Sequence, residues 1–127
     1  MKIIDTTNAP AAIGPYSQAI AQKCLVFTSG QIPIDPATGN IEAADIEGQT
    51  RQAIKNLATV LEAAGSGLDK VVKTTCFITD MGAFSVFNAV YEELVPCTPA
   101  RSCVEVSKLP KGALVEIEAV AEISKHS

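Results

Sequence analysis

The chain has 127 residues, of which 47 % are hydrophobic and 19 % charged, and a formal net charge of −4. That length suits a single domain over residues 1–127 with its own core. The acidic balance argues against a nucleic-acid partner, since phosphate contacts dominate such affinity, and no apolar run approaches a membrane span, so a cytoplasmic protein is expected.

Met1–Thr7 is too short and polar for a secretory signal, and residues 8–15, with Pro10 and Pro15, read as an irregular lead-in to Tyr16. Ser17–Ala21 and Cys24–Thr28 alternate like two strands of a hairpin joined by Gln22-Lys23. The second runs into Ser29-Gly30-Gln31, where glycine either turns the chain or lets another group come close. Ile32–Asn40, with Pro33, Pro36 and a Thr-Gly-Asn turn, reads as a loop. Asp45 offers a helix cap, and Ile46, Ala53, Ile54, Leu57, Leu61 and Ala64 recur at helical spacing until Gly65 stops the run.

Lys70–Thr79 is the next strand, with Val72, Cys76 and Ile78 on one side and Phe77 on the other. Asp80 caps a second helix from Ala83 to about Val95, whose stripe is Phe84, Phe87, Val90, Tyr91 and Leu94. Asn88 lies at the edge of that stripe, where an amide is either satisfied by a neighbour or turned toward a ligand. Ser102–Ser107 and Ala113–Ile123 close the chain as two strands. This order predicts an α+β fold, one mixed sheet with both helices packed on a single face. The other face, and the high apolar content, predict an oligomer.

Cys24, Cys76, Cys97 and Cys103 form no C-x-x-C pair, and three of them sit in strand-like runs, as free packed thiols do. The only histidine, His126, is the last residue but one. Serine–histidine and cysteine–histidine catalysis would therefore lack an internal base, and neither a metal nor a cofactor is expected.

The chemistry-bearing stretch is Pro99–Val106. Pro96 and Pro99 stiffen a loop that delivers Arg101 at the start of a strand. Arginine there is a planar, permanently charged fork for a carboxylate or phosphate, though such a residue is commonly a surface ion pair. Glu116 and Glu118 share the polar face of the last strand. If these strands pair, a fixed cation and a carboxylate face one cleft. Cys103 beside that arginine is either an activated thiol or packing.

Several short stretches, taken together and in order from residue 8 to 121, are similar to one family. They are Asn8-Ala9-Pro10, Ile13–Ala19, Phe27–Gln31, Val72–Thr75, Phe87-Asn88, Pro99–Ser102 and Glu116–Ala119. They resemble the RidA branch of the Rid family of reactive-intermediate deaminases, also called YjgF-type or L-PSP. The resemblance implies a chorismate-mutase-like fold and a homotrimer with ligand clefts between subunits. It implies hydrolysis of 2-imino acids, such as 2-iminobutanoate and 2-iminopropanoate, to 2-oxo acids and ammonia. Arg101 matches the arginine that grips the substrate carboxylate, and Glu116 the glutamate that positions water. Tyr16, Ser29, Gly30, Asn88 and Cys103 match other residues lining the cleft, with Tyr16 coming from a neighbouring subunit. The chain departs from the family at Glu92–Thr98, which is shorter than in typical relatives and places Thr98 where they carry an aromatic. That departure bears on cleft shape and substrate range.

Imine hydrolysis asks little of a protein: one cation to orient a small anion and one carboxylate to place a water. Two rival classes differ in what they need. An endoribonuclease or translation inhibitor requires basic surface for RNA, and a non-catalytic trimer binding small carboxylates would keep Arg101 yet tolerate loss of Glu116.

Overall fold

A computed structural model describes residues 1–123, and His126 lies outside the described residues. Six strands form one mixed sheet: β1 (Lys2–Ile4), β2 (Ala19–Gln22), β3 (Leu25–Thr28), β6 (Val71–Ile78), β7 (Ala100–Glu105) and β8 (Val115–Glu122), in the order β1-β2-β3-β8-β6-β7. Neighbours are antiparallel except β6 and β7, which run parallel, as a crossover through a helix requires. The helices are α1 (Ile46–Ala63) and α2 (Phe84–Leu94), and both cover the same sheet face.

Local chemistry sets these boundaries. Asp45 accepts the Gly48 N–H at 2.9 Å and starts α1. At its end Gly65 takes φ +83°, and Ser66 N–H reaches back to the Leu61 carbonyl at 2.9 Å, closing the helix in a left-handed cap. Ala53, Ile54, Leu57, Val60 and Leu61 project from α1 onto Val26, Cys76, Ile78, Val115 and Ile117, and this layer is the core. The Arg51 guanidinium of α1 forks onto Glu93 of α2 at 2.9 Å, tying the two helices at the surface.

The structure differs from the sequence reading at several points. The β2–β3 turn is Lys23-Cys24 rather than Gln22-Lys23, because Gln22 pairs with Leu25; Lys23 takes φ +58°, and Cys24 belongs to the turn. Ser17 and Gln18 precede β2, and the buried Gln18 amide straps the lead-in by bonding Thr6 and the Pro10 carbonyl. Lys2–Ile4 is an edge strand that the sequence did not announce. The stretch read as a loop over Ile32–Asn40 instead holds β4 (Ile34–Asp35) and the start of β5 (Asn40–Ile41), two-residue strands that make a separate small hairpin. Val72 is exposed, not buried with Cys76: Val71 pairs with Ala121 and Lys73 with Val120, so Val72 is the extra residue of a bulge. Val71, Thr74, Cys76 and Ile78 take the inner face. Asp80 caps a 3-10 turn, Met81–Ala83, that leads into α2 instead of capping α2 itself.

Candidate active site

Arg101 enters β7 directly behind Cys97 and Thr98, which hold φ of +67° and +39°. Its register partner on β6 is Thr74, so its side chain lies on the helix-covered face, under α2. There Arg101 Nη1 donates to Asn88 Oδ1 at 2.7 Å. The guanidinium carbon stands 4.8 Å from the Tyr91 ring centre, 5.5 Å from Phe84 and 6.0 Å from Phe87, all within cation–π range. The ion pairs among the described residues join Arg51 to Glu47 and Glu93, and none involves Arg101. Its remaining donors border an open groove of about 640 Å³ lined by Ser85, Asn88, Tyr91, Glu92, Thr98 and Pro99. The amide at the stripe's edge is thus satisfied by the arginine. Tyr91 and Phe84, read from sequence only as part of the helix's apolar stripe, supply rings around it; Asn88 one turn before Tyr91 was the available signal.

Glu116 lies elsewhere. Its partner on β6 is Phe77, on the uncovered face of the sheet, and Glu118 sits on that same face opposite Thr75. Gln31 bridges to Ile117 through hydrogen bonds of 2.8 and 3.1 Å, which brings Gly30 against the Glu116 side chain. A Cβ on Gly30 would collide with that carboxylate. So the close-approach reading of Gly30 holds. Ser29 Oγ donates to the Ser17 carbonyl at 2.6 Å, fixing the Ser29-Gly30 segment against the chain that carries Tyr16. Tyr16 is half exposed, its hydroxyl accepts the Ile13 N–H at 3.1 Å, and it lines a small recess with Pro10, Ile13 and Gly30.

The residues therefore gather as two clusters. Arg101, Asn88 and Cys103 lie on the helix-covered face; Glu116, with Gly30 beside it, lies on the open face, and Tyr16 meets Gly30 at the recess. The expectation that Arg101 and Glu116 share one cleft fails within a single chain. β7 and β8 do not pair but flank β6 on either side, and their registers send the two side chains to opposite faces.

Electrostatics follow burial. Desolvation pushes the Glu116 carboxyl above its ordinary range, and the neighbouring Glu118 charge adds to it. Cys103 stands opposite Cys76 in the sheet register. Burial pushes its thiol up against the opposing pull of Arg101, and pushes Cys76 up to about 12. Both thiols are protonated at neutral pH, which favours packing over an activated nucleophile. Among the described residues no three histidine, cysteine or acidic side chains gather closely enough to hold a metal ion, and no helix is long and apolar enough to cross a membrane.

Comparison with known proteins gives one answer at every level. The sequence profile of a family described as Endoribonuclease L-PSP matches residues 6–123. A RutC family protein of Pyrococcus horikoshii is 52 % identical over 121 residues, covering 94 % of this chain and 96 % of its own. The 2-iminobutanoate/2-iminopropanoate deaminase of Salmonella typhimurium is 50 % identical over 124 residues, covering 94 % and 96 %. The crystal structure of Escherichia coli TdcF with bound serine superposes at a TM-score of 0.91 with 44 % identity, over 98 % of this chain and 100 % of that one. With a family profile that spans residues 6–123 and relatives half identical over nearly the whole chain, the chain belongs to the Rid/YjgF family, also described as endoribonuclease L-PSP.

Proposed function

We propose that the protein hydrolyses reactive 2-imino acids of the 2-iminobutanoate and 2-iminopropanoate kind to 2-oxo acids and ammonia. The observation that carries this reading is Arg101: a guanidinium held by Asn88 and by aromatic rings, free of any carboxylate partner among the described residues, with donors bordering a groove. A cation so held is a site for a small anion. The deaminase of Salmonella typhimurium, identical at half of the aligned positions, and the serine bound to TdcF support a small amino-acid-like ligand.

In this reading Arg101 forks onto the substrate carboxylate and sets the C=N carbon toward a water. Glu116 accepts a proton as that water adds, giving a carbinolamine. The proton then passes to the nitrogen, the C–N bond breaks and ammonia leaves, while Glu116 takes up the hydroxyl proton as the carbonyl forms. The protonated imine is already electrophilic, so orientation and one well-placed base supply what the reaction needs. Tyr16, Ser29, Gly30, Asn88 and Cys103 line the cleft.

Since Arg101 and Glu116 point to opposite faces of one sheet, the cleft is completed between copies of the chain in a homotrimer. The uncovered sheet face, which exposes Ile3, Phe27 and Val104, offers apolar surface for that assembly. A direct test generates 2-iminobutanoate with a threonine dehydratase in the presence of semicarbazide. The expected result is suppression of the semicarbazone by native protein and not by Arg101→Ala or Glu116→Ala. A native protein without effect would overturn the reading.

A further inference from the structure

We infer that Tyr91 is a positioning residue for Arg101, oriented by the buried hydroxyl of Thr74. The inference rests on the reading of Arg101 as the carboxylate fork, and deepens it.

Thr74 and Arg101 are register partners on adjacent strands, so their side chains stand next to each other on one face. Tyr91 descends on both from α2. Its hydroxyl and Thr74 Oγ1 share a hydrogen bond of 2.7 Å, and its ring lies over the guanidinium. Thr74 is fully buried and Tyr91 is only 7 % exposed. For packing alone, phenylalanine and valine would fill this space without bringing polar atoms into the core. A hydroxyl pair there satisfies itself and, in doing so, fixes the position of the ring. Burial pushes the Tyr91 phenol up, so the pair stays neutral and geometric in effect.

Asn88 completes the arrangement. It stands three residues before Tyr91, hence on the same helix face, and takes one N–H of Arg101 at 2.7 Å. The amide defines one edge of the guanidinium and the ring defines its plane. What remains of the fork is aimed at the groove before any ligand arrives. An arginine without that plane would have to be ordered on binding, a cost that raises KM by about three- to tenfold and leaves the proton-transfer step alone.

The experiment compares Tyr91→Phe, Tyr91→Leu, Thr74→Val and Thr74→Ser, with Val90→Ala as a core control on the same helix. Two readouts are taken. One is KM and kcat for 2-iminobutanoate. The other is the Arg101 Nε–Hε NMR signal, identified by its disappearance in Arg101→Lys and expected upfield because of the ring above it. Tyr91→Leu should move that signal downfield and raise KM with kcat within about twofold. Tyr91→Phe and Thr74→Val should raise KM less, and Thr74→Ser should restore the native value. The inference is overturned if the Arg101 signal is unmoved in Tyr91→Leu, or if KM follows only the loss of stability seen in Val90→Ala. Lack of deaminase activity in native protein would remove the functional reading alone, and the NMR signal would still decide whether Tyr91 holds Arg101.

Discussion

Gly30 and Glu116 compete for the same space. A Cβ built on Gly30 would fall 2.6 Å from the Glu116 carboxyl carbon, and closer still to an oxygen. Gly30 has no positive φ, so the glycine serves the approach of that side chain rather than an unusual backbone. The strand-like bond pair between Gln31 and Ile117 fixes the approach from the backbone side.

Replacing Gly30 therefore separates function from stability. In Gly30→Ala the new methyl displaces the end of a flexible side chain, not the backbone, and costs roughly 1 kcal/mol or less. In the proposed reaction this would push the carboxylate out of line with the attacking water, which can cost about 100-fold in kcat. Thermal melting and steady-state kinetics on the same preparation check this pair of expectations. A variant that melts normally and turns over normally would show that the position of Glu116 is unimportant.

How much of this was legible in the sequence varies by residue. The helix from Ile46 onward was, because Asp45, the apolar spacing and Gly65 all act locally. So was the shared face of Glu116 and Glu118, since alternation within one strand needs no partner. The inward turn of Val71 and the exposure of Val72 were not, because a bulge exists only against a neighbouring strand. Nor was the separation of Arg101 from Glu116. Each strand's alternation was readable, but which face Arg101 takes relative to Glu116 depends on the crossover that puts β6 between them. The role of Tyr91 was hidden for a related reason: an aromatic on a helical stripe looks like core until the strand beneath it is known to carry an arginine.

Glu116 gives a prediction in pH. Its folded-state carboxyl is pushed up by burial and then by Glu118, so the protonated form is the one the fold favours. The corresponding stability is fully present below the unfolded value, near the usual ~4.3, and is lost as pH rises through the higher folded value. Above the unfolded value Glu116 therefore burdens the fold relative to a neutral side chain. Glu116→Gln, made in an Arg101→Ala background, should raise Tm at pH 7 and have little effect below about pH 4. If the cleft joins copies as proposed, Arg101 of a neighbouring copy pulls the carboxyl back down in the native background, and the gain should shrink. A gain at acid pH instead would reverse the sign argued here.

Asn56 tests how the lead to the small hairpin is held. It is 1 % exposed on α1, and its Nδ2 donates to the carbonyls of Ile32 and Ile34 at 3.0 and 2.8 Å. Asn56→Ala removes a donor from both buried carbonyls, leaving Ile32 with the Ile34 N–H at 2.8 Å, and the expected loss is about 1–3 kcal/mol. Hydrogen exchange should show the damage concentrated over residues 32–41, with the main sheet still protected. Uniform loss of protection would mean that Asn56 supports the whole core.

The opposed faces of Arg101 and Glu116 lead to a test by mixing. If each cleft takes its arginine from one copy and its glutamate from the next, Arg101→Ala and Glu116→Ala chains are complementary defects. Denatured together and refolded in equal amounts, they should recover about a quarter of native activity, because random assembly joins an intact arginine to an intact glutamate at that fraction of interfaces. Each variant refolded alone should recover none. The double variant Arg101→Ala/Glu116→Ala mixed with native chains calibrates the count: it should keep about a quarter of native activity if each cleft joins two copies, and about half if the cleft lies within one chain. Recovery in the complementary mixture, with none in either variant refolded alone, is a result that a cleft built within one chain cannot give. No recovery, with trimers formed in the mixture, would mean that the two residues never serve the same substrate molecule.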